Sequence, residues 1–160
     1  MQKKKGITLI ALIVTVVMLI ILASVTTIEG LESLYEARRV EFVTEMKIIQ
    51  SRVDYIYEKI NQGTGDEFLN KGTPVTGSLS NYSKIKSIID TVNAICEETG
   101  EPQKTATDFQ YFTSDLLEEI GIEDVKEDVI INFSTRDVIS TIGIKVDNIM
   151  YYRLFDMRRR

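Results

Sequence analysis

Between Lys5 and Glu29 the chain carries no charged side chain, and Ile7 to Val25 is almost entirely Ile, Leu, Val, Met, Ala and Thr. As a helix these nineteen residues measure roughly 28 Å, the thickness of the hydrocarbon core of a bilayer. Beyond them the apolar positions thin to a single stripe. Phe42, Met46, Ile49, Val53, Ile56 and Ile60 recur at helical spacing, which marks one face of an amphipathic helix. Ile28, Leu31 and Tyr35 extend that stripe backwards, with Arg39 interrupting the seam. No proline precedes Pro74, and the first stop signal is Asn61-Gln62-Gly63. One helix of about 55 residues is therefore predicted from Ile7 to Ile60.

The pattern then breaks into shorter elements. Residues 62–80, rich in Gly, Ser and Thr, read as loop. A second helix is expected over 81–99, with Ile85, Ile88, Ile89, Val92, Ile95 and Cys96 on one face and Gly100 and Pro102 beyond its end. Phe109 to Phe112 has a strand-like composition, and a short helix follows over 113–121, capped by Thr113 or Ser114. Residues 128–155 change period. Val129–Phe133, Val138–Ile142 and Ile149–Leu154 are β-rich runs separated by polar turns, which predicts an antiparallel meander. The expected fold class is α+β: a long N-terminal helix packed on a small C-terminal antiparallel sheet, with one or two extra short helices.

Composition narrows the chemistry. The chain has 160 residues, no His and no Trp, and a single Cys. Without His, neither a Ser-His-Asp nor a Cys-His apparatus can form within it, and the commonest zinc ligand is absent. Cys96 cannot close an intramolecular disulfide and reads as a small core residue. The formal net charge of −5 argues against direct binding of nucleic acid. No catalytic residue, metal ligand or cofactor is assigned. Glu97, Glu98, Glu101, Glu118, Glu119, Glu123 and Asp124 form no Asp-x-Asp-x-Asp-Gly loop and read as solvated acidic surface. Arg158-Arg159-Arg160 reads as a solubilising tail. Tyr151, Tyr152 and Phe155 read as sheet packing.

The flanks of the apolar run orient it. Lys3, Lys4 and Lys5 precede it and Glu29 follows, so the positive-inside rule keeps the N-terminus cytoplasmic and exports the rest. A secretory signal peptide has a shorter apolar core and a small-x-small cleavage site, of which Ala23-Ser24 is a weak version. The segment Lys5-Gly6-Ile7-Thr8-Leu9-Ile10-Ala11-Leu12-Ile13-Val14 resembles the N-terminal signature of type IV pilins and pseudopilins, in the wording of Gram-positive bacteria. The likeness covers about 25 residues, and the helix that continues past the membrane run agrees with that family's architecture.

That resemblance implies a processing signal at Lys3, Lys4, Lys5 and Gly6, with a prepilin peptidase cutting between Gly6 and Ile7. Ile7 is then the N-methylated terminus, and Thr8, Leu9, Ile10 and Ala11 form the assembly segment. It divides the chain into a leader (1–6), a transmembrane and assembly half-helix (7–28) and a globular pilin-like domain (29–160), whose first helix covers 29–61. Its implied partners are the peptidase, other pilin subunits, the lipid bilayer before assembly, and indirectly the membrane platform and its ATPase motor. The expected location is the cytoplasmic membrane in a single pass, then a filament at the cell surface. Ala11 departs from the family, most of whose members carry a Glu there to neutralise a neighbour's amino terminus. Two explanations stand side by side: a minor subunit at a filament tip, or an amine satisfied through Thr8 or backbone carbonyls. The rival reading of the chain is a membrane-anchored extracellular binding or sensor domain with an uncleaved N-terminal anchor.

Overall fold

A computed structural model describes the backbone of residues 5–158, and the side chains of 11–22 and 31–158. The chain divides into two compact units, Met1–Val40 and Glu41–Arg160. Helix α1 runs Lys5–Asn61, matching the predicted helix within two residues. In the first unit its described side chains face solvent: Leu12, Met18, Leu19, Ile20 and Leu22 are each more than 60% exposed. Leu31 and Tyr35, expected to continue the buried stripe, are also exposed. Ile28 lies outside the described side chains.

In the second unit the stripe becomes the spine of the core. Phe42, Met46, Ile49, Val53 and Ile56 are all buried, with Ile60 packed at the edge. Each such side chain contributes about 1.5–3 kcal/mol by leaving water. They meet Phe112, Leu117, Ile120, Val129, Ile131 and Phe133. A second cluster lies on the other face of the sheet, where helix α2 (Tyr82–Thr99) sets Ile85, Ile88, Ile89, Val92 and Cys96 against Phe109, Ile130 and Ile139. Adjacent residues of one strand, Ile130 and Ile131, thus serve opposite clusters, as a period of two requires. Gly100, at φ 71°, ends α2 with its N–H turned back to the Cys96 and Glu97 carbonyls. The short helix α3 (Ser114–Glu119) is capped by the Thr113 hydroxyl, which accepts from the Leu116 N–H.

The sheet differs from the expected meander. It is four-stranded and antiparallel, in the order β1 (Thr73–Pro74), β2 (Gln110–Phe112), β3 (Val129–Asn132), β4 (Asp137–Ser140). Two of its strands thus come from outside 128–155, one from the stretch read as loop. The 62–80 stretch also holds a 3-10 turn at Asp66–Phe68. The third predicted run forms no ladder with the second, to which a single backbone bond joins it, from the Ser140 N–H to the Tyr152 carbonyl at 2.8 Å. Instead β5 (Ile144–Val146) and β6 (Ile149–Tyr151) make a separate hairpin, joined through Asp147 and Asn148, both at positive φ, as a two-residue type I′ turn requires. The break is Gly143, at φ 70°, where a Cβ would lie 2.6 Å from the Tyr152 ring. Leu154, predicted as the end of a strand, opens helix α4 (Leu154–Arg158). Phe155 is 49% exposed on α4, whereas Tyr151 is buried and Tyr152 packs partly buried against the second cluster.

Candidate functional site

The segment expected to carry processing and assembly reaches into the start of α1. Lys3 and Lys4 lie outside the described residues. Lys5, Gly6, Ile7, Thr8, Leu9 and Ile10 fall within the bounds of α1, and their side chains lie outside those described. Ala11 is exposed, and from it to Leu22 no side chain carries charge. Thr15 spends its hydroxyl on the Leu12 carbonyl, 2.8 Å away, so its polar atom is satisfied within the helix. A helix apolar on all sides suits lipid or other helices rather than water. Among the described residues no helix is long and apolar enough to cross a membrane; of the 7–28 run, the side chains of 7–10 and 23–28 lie outside them.

The second unit contains a buried charge centre that the sequence reading missed. Arg153 sits at the bend between β6 and α4, only 3% exposed. Its guanidinium donates to both carboxylate oxygens of Asp156, to Glu101 at 3.1 Å and to the Cys96 sulfur at 3.5 Å. Asp137 of β4 lies 3.8 Å from it and also accepts from Lys104 at 2.8 Å. Asn93 holds the loop after α2 in place through both its amide groups to the Lys104 backbone, and so presents Glu101 and Lys104. Burial by itself would pull the Arg153 pKa down, but the Asp156 hydrogen bonds and charge push it above its ordinary value. Burial raises the Cys96 thiol despite the nearby Arg153, which leaves it an inert core group. One signal was present: a lone Arg in the run Ile149–Leu154 with Asp three residues after it. A charge in an otherwise apolar run has to find a partner.

The clefts on this unit include two that border α1. One, of about 350 Å³, lies between α1, the β3–β4 turn and α4, and is lined by Gln50, Asp54, Arg136, Asp137, Phe155 and Arg158 among others. The other, of about 630 Å³, lies between α1 and the segment after α3 and is lined by Glu41, Glu45, Ile48, Glu118, Asp124 and Lys126 among others. Glu45 is 9% exposed. Burial first, then the charges of Glu127 and Glu41, hold its carboxyl above the usual range, against the opposing pull of Lys126. Because the folded pKa is the higher one, stability declines as pH rises from the unfolded value through the folded one. Glu45→Gln is expected to raise the urea midpoint at pH 7 and to flatten that decline, as urea titrations between pH 4 and 8 will show. Tyr111, whose hydroxyl bonds Asp128, is pushed up to about 12 by burial and by that carboxylate.

In the smaller cleft the Thr135 hydroxyl donates to Asp137. Of the acidic residues considered as surface, Glu101 pairs with Arg153 and Glu119 with Lys71. No protein-family model, curated protein or solved structure matches the chain.

Proposed function

We propose that this chain is a pilin-like structural subunit of a type IV pilus-like or type II secretion-like filament, a minor pilin or pseudopilin, cut by prepilin peptidase after Gly6 and assembled from the membrane. The observation that supports this best is the division of labour along α1. One element carries an uncharged, exposed apolar surface over 12–22 and, from Phe42 to Ile56, the buried spine of an α+β domain. A plain anchor has no need to share its helix with the core of the domain it tethers. In the proposed role the apolar surface first faces lipid and then faces the same segment of neighbouring subunits. That exchange yields little free energy per residue, so an ATP-driven motor supplies the work of extraction. Gly6 gives the peptidase a backbone without a side chain to enter its site, and Lys3, Lys4 and Lys5 hold the junction at the cytoplasmic surface.

The test is the N-terminus of the native chain, read by intact mass and peptide mass spectrometry of the cell-surface fraction. The expected species begins at N-methylated Ile7, and Gly6→Leu is expected to abolish it and leave only chains beginning at Met1. A native chain beginning at Met1 overturns the proposal in favour of an anchored binding domain. A cut near Ser24 overturns both.

A further inference from the structure

Strand β4 is paired along one edge only, and the smaller cleft borders the other. The Thr141 N–H donates to the Asp128 carbonyl at 3.1 Å, which fixes the alternation of the β3–β4 ladder. Ile139 and Asp137 turn their backbone groups towards β3, whereas Val138 and Ser140 turn theirs away. The Ser140 N–H reaches the Tyr152 carbonyl at 2.8 Å. The pairing stops there, because Leu154 opens α4 and carries the chain off the edge. The N–H and C=O of Val138 have no hydrogen-bond partner among the described residues, although Val138 is only 3% exposed and lines the cleft. Backbone groups that are buried and unpaired in this way are uncommon, since each costs about as much as a lost hydrogen bond. A donor and an acceptor side by side on one edge residue are what an incoming strand pairs with.

The lining determines what kind of strand fits. Val138 sends its side chain to the α1 side of the sheet, where it joins the cluster of Ile49 and Val53. A residue added directly beside it shares that face and so meets Gln50 and Asp54 of α1. Gln50 spends its amide on Asp54 at 3.2 Å and on the Arg136 carbonyl at 3.0 Å, so the neighbouring position suits a short hydroxyl side chain. The charges of the lining balance, with Arg136, Arg153 and Arg158 against Asp54, Glu101 and Asp137. No net field therefore draws in a charged segment. Half-exposed Phe155 adds an apolar wall for the next side chain along.

We propose that the open edge of β4 takes up an uncharged extended segment of another protein, alternating hydroxyl and apolar side chains, which pairs with Val138 and continues the sheet where Tyr152 leaves off. Main-chain hydrogen bonds supply the affinity in such a contact, and the alternate side chains supply the selection. The proposal stands on β4, α1 and α4 and is independent of the filament reading above.

The test supplies such a strand in tethered form. Helix α4 ends at Arg158, which lines the cleft. A Gly/Ser linker of about twelve residues attached after Arg160 spans roughly 19 Å and presents the strand Thr-Val-Thr-Val-Thr at about millimolar effective concentration. The full chain, solubilised in detergent, is followed by amide hydrogen exchange and NMR. Exchange at the Val138 N–H is expected to slow at least tenfold relative to the chain carrying the linker alone, with cross-strand contacts joining Val138 to a tethered Thr. The tether Pro-Val-Pro-Val-Pro, which lacks the donors that would face Val138, is expected to give no slowing. The tethers Thr-Glu-Thr-Glu-Thr and Thr-Lys-Thr-Lys-Thr are each expected to give at least tenfold less protection than the uncharged strand. No slowing with the Thr-Val strand overturns the proposal, as does equal slowing with the proline strand or protection confined to amides away from β4. A charged strand that protects Val138 as well as the uncharged one overturns the stated chemistry of the partner.

Discussion

Replacing Arg153 with Met is expected to destabilise the second unit by about 3–5 kcal/mol, because removing one member of a buried ion pair strands the other charges in a low dielectric. Asp156, itself 4% exposed, would lose both of its guanidinium bonds, and Glu101 would lose its 3.1 Å partner. The consequence spreads because Arg153 ties together segments far apart in the chain: the loop after α2, strand β4 and helix α4. A urea titration of the solubilised chain is expected to show the midpoint falling by at least about 1 M. The double variant Arg153→Met with Asp156→Leu separates two causes. If stranded charge is the damage, adding the second change recovers much of the loss, since apolar replacement of a whole buried pair is often nearly neutral. If the single variant shifts stability by less than about 1 kcal/mol, the centre is not the clamp described above.

Phe112→Ala is expected to cost a similar amount, about 3–5 kcal/mol, for a different reason. Phe112 is fully buried in β2 and meets Phe133 edge-on, with ring centroids 5.9 Å apart. Its ring also fills the space beside Gly72, where a Cβ would stand 2.5 Å from it. Gln110 on the same strand binds that loop from both sides, accepting from the Gly72 N–H at 3.1 Å and donating to the Leu69 carbonyl. Because the backbone around the ring is held by these bonds, it cannot collapse into the space that truncation leaves. Phe112→Leu, which fills most of the volume, is expected to cost about 1–2 kcal/mol. Equal losses for Leu and Ala would show that the site tolerates no reshaping at all.

Helices were the legible part of this fold and strands the obscure part, for a physical reason. The stripe from Phe42 to Ile60 spans five helical turns, so its period repeats often enough to stand out. The ends of α2 and α3 were marked by Gly100 and Thr113, whose conformational and hydrogen-bonding roles are local. Strand β1 has only Thr73 and Pro74, and two residues have no period. Its existence depends on Gln110 and Tyr111 arriving from nearly forty positions away, and no local signal reports that. The third predicted run does form a strand over Ile149–Tyr151, but it pairs with β5, after the chain turns at Gly143 with positive φ. Arg153 was obscure because its partners Glu101 and Asp137 come from other elements; only Asp156 is near it in sequence. The two clefts depend on loop placement, which a linear pattern does not contain. The proposed processing signal, by contrast, is linear in character, so the sequence carries the whole of that argument.

The clamp at Arg153 has a bearing on where and how this domain can mature. Many small exported domains fasten their C-terminal segment with a sulfur–sulfur bond, and so depend on an oxidising environment and on enzymes that supply it. Here the only cysteine is free and buried beside the guanidinium, and the fastening is done by Asp156, Glu101 and Asp137. Closure therefore needs neither oxidant nor isomerase. The domain can lock as soon as its strands and helices meet, and reducing agents leave the lock untouched.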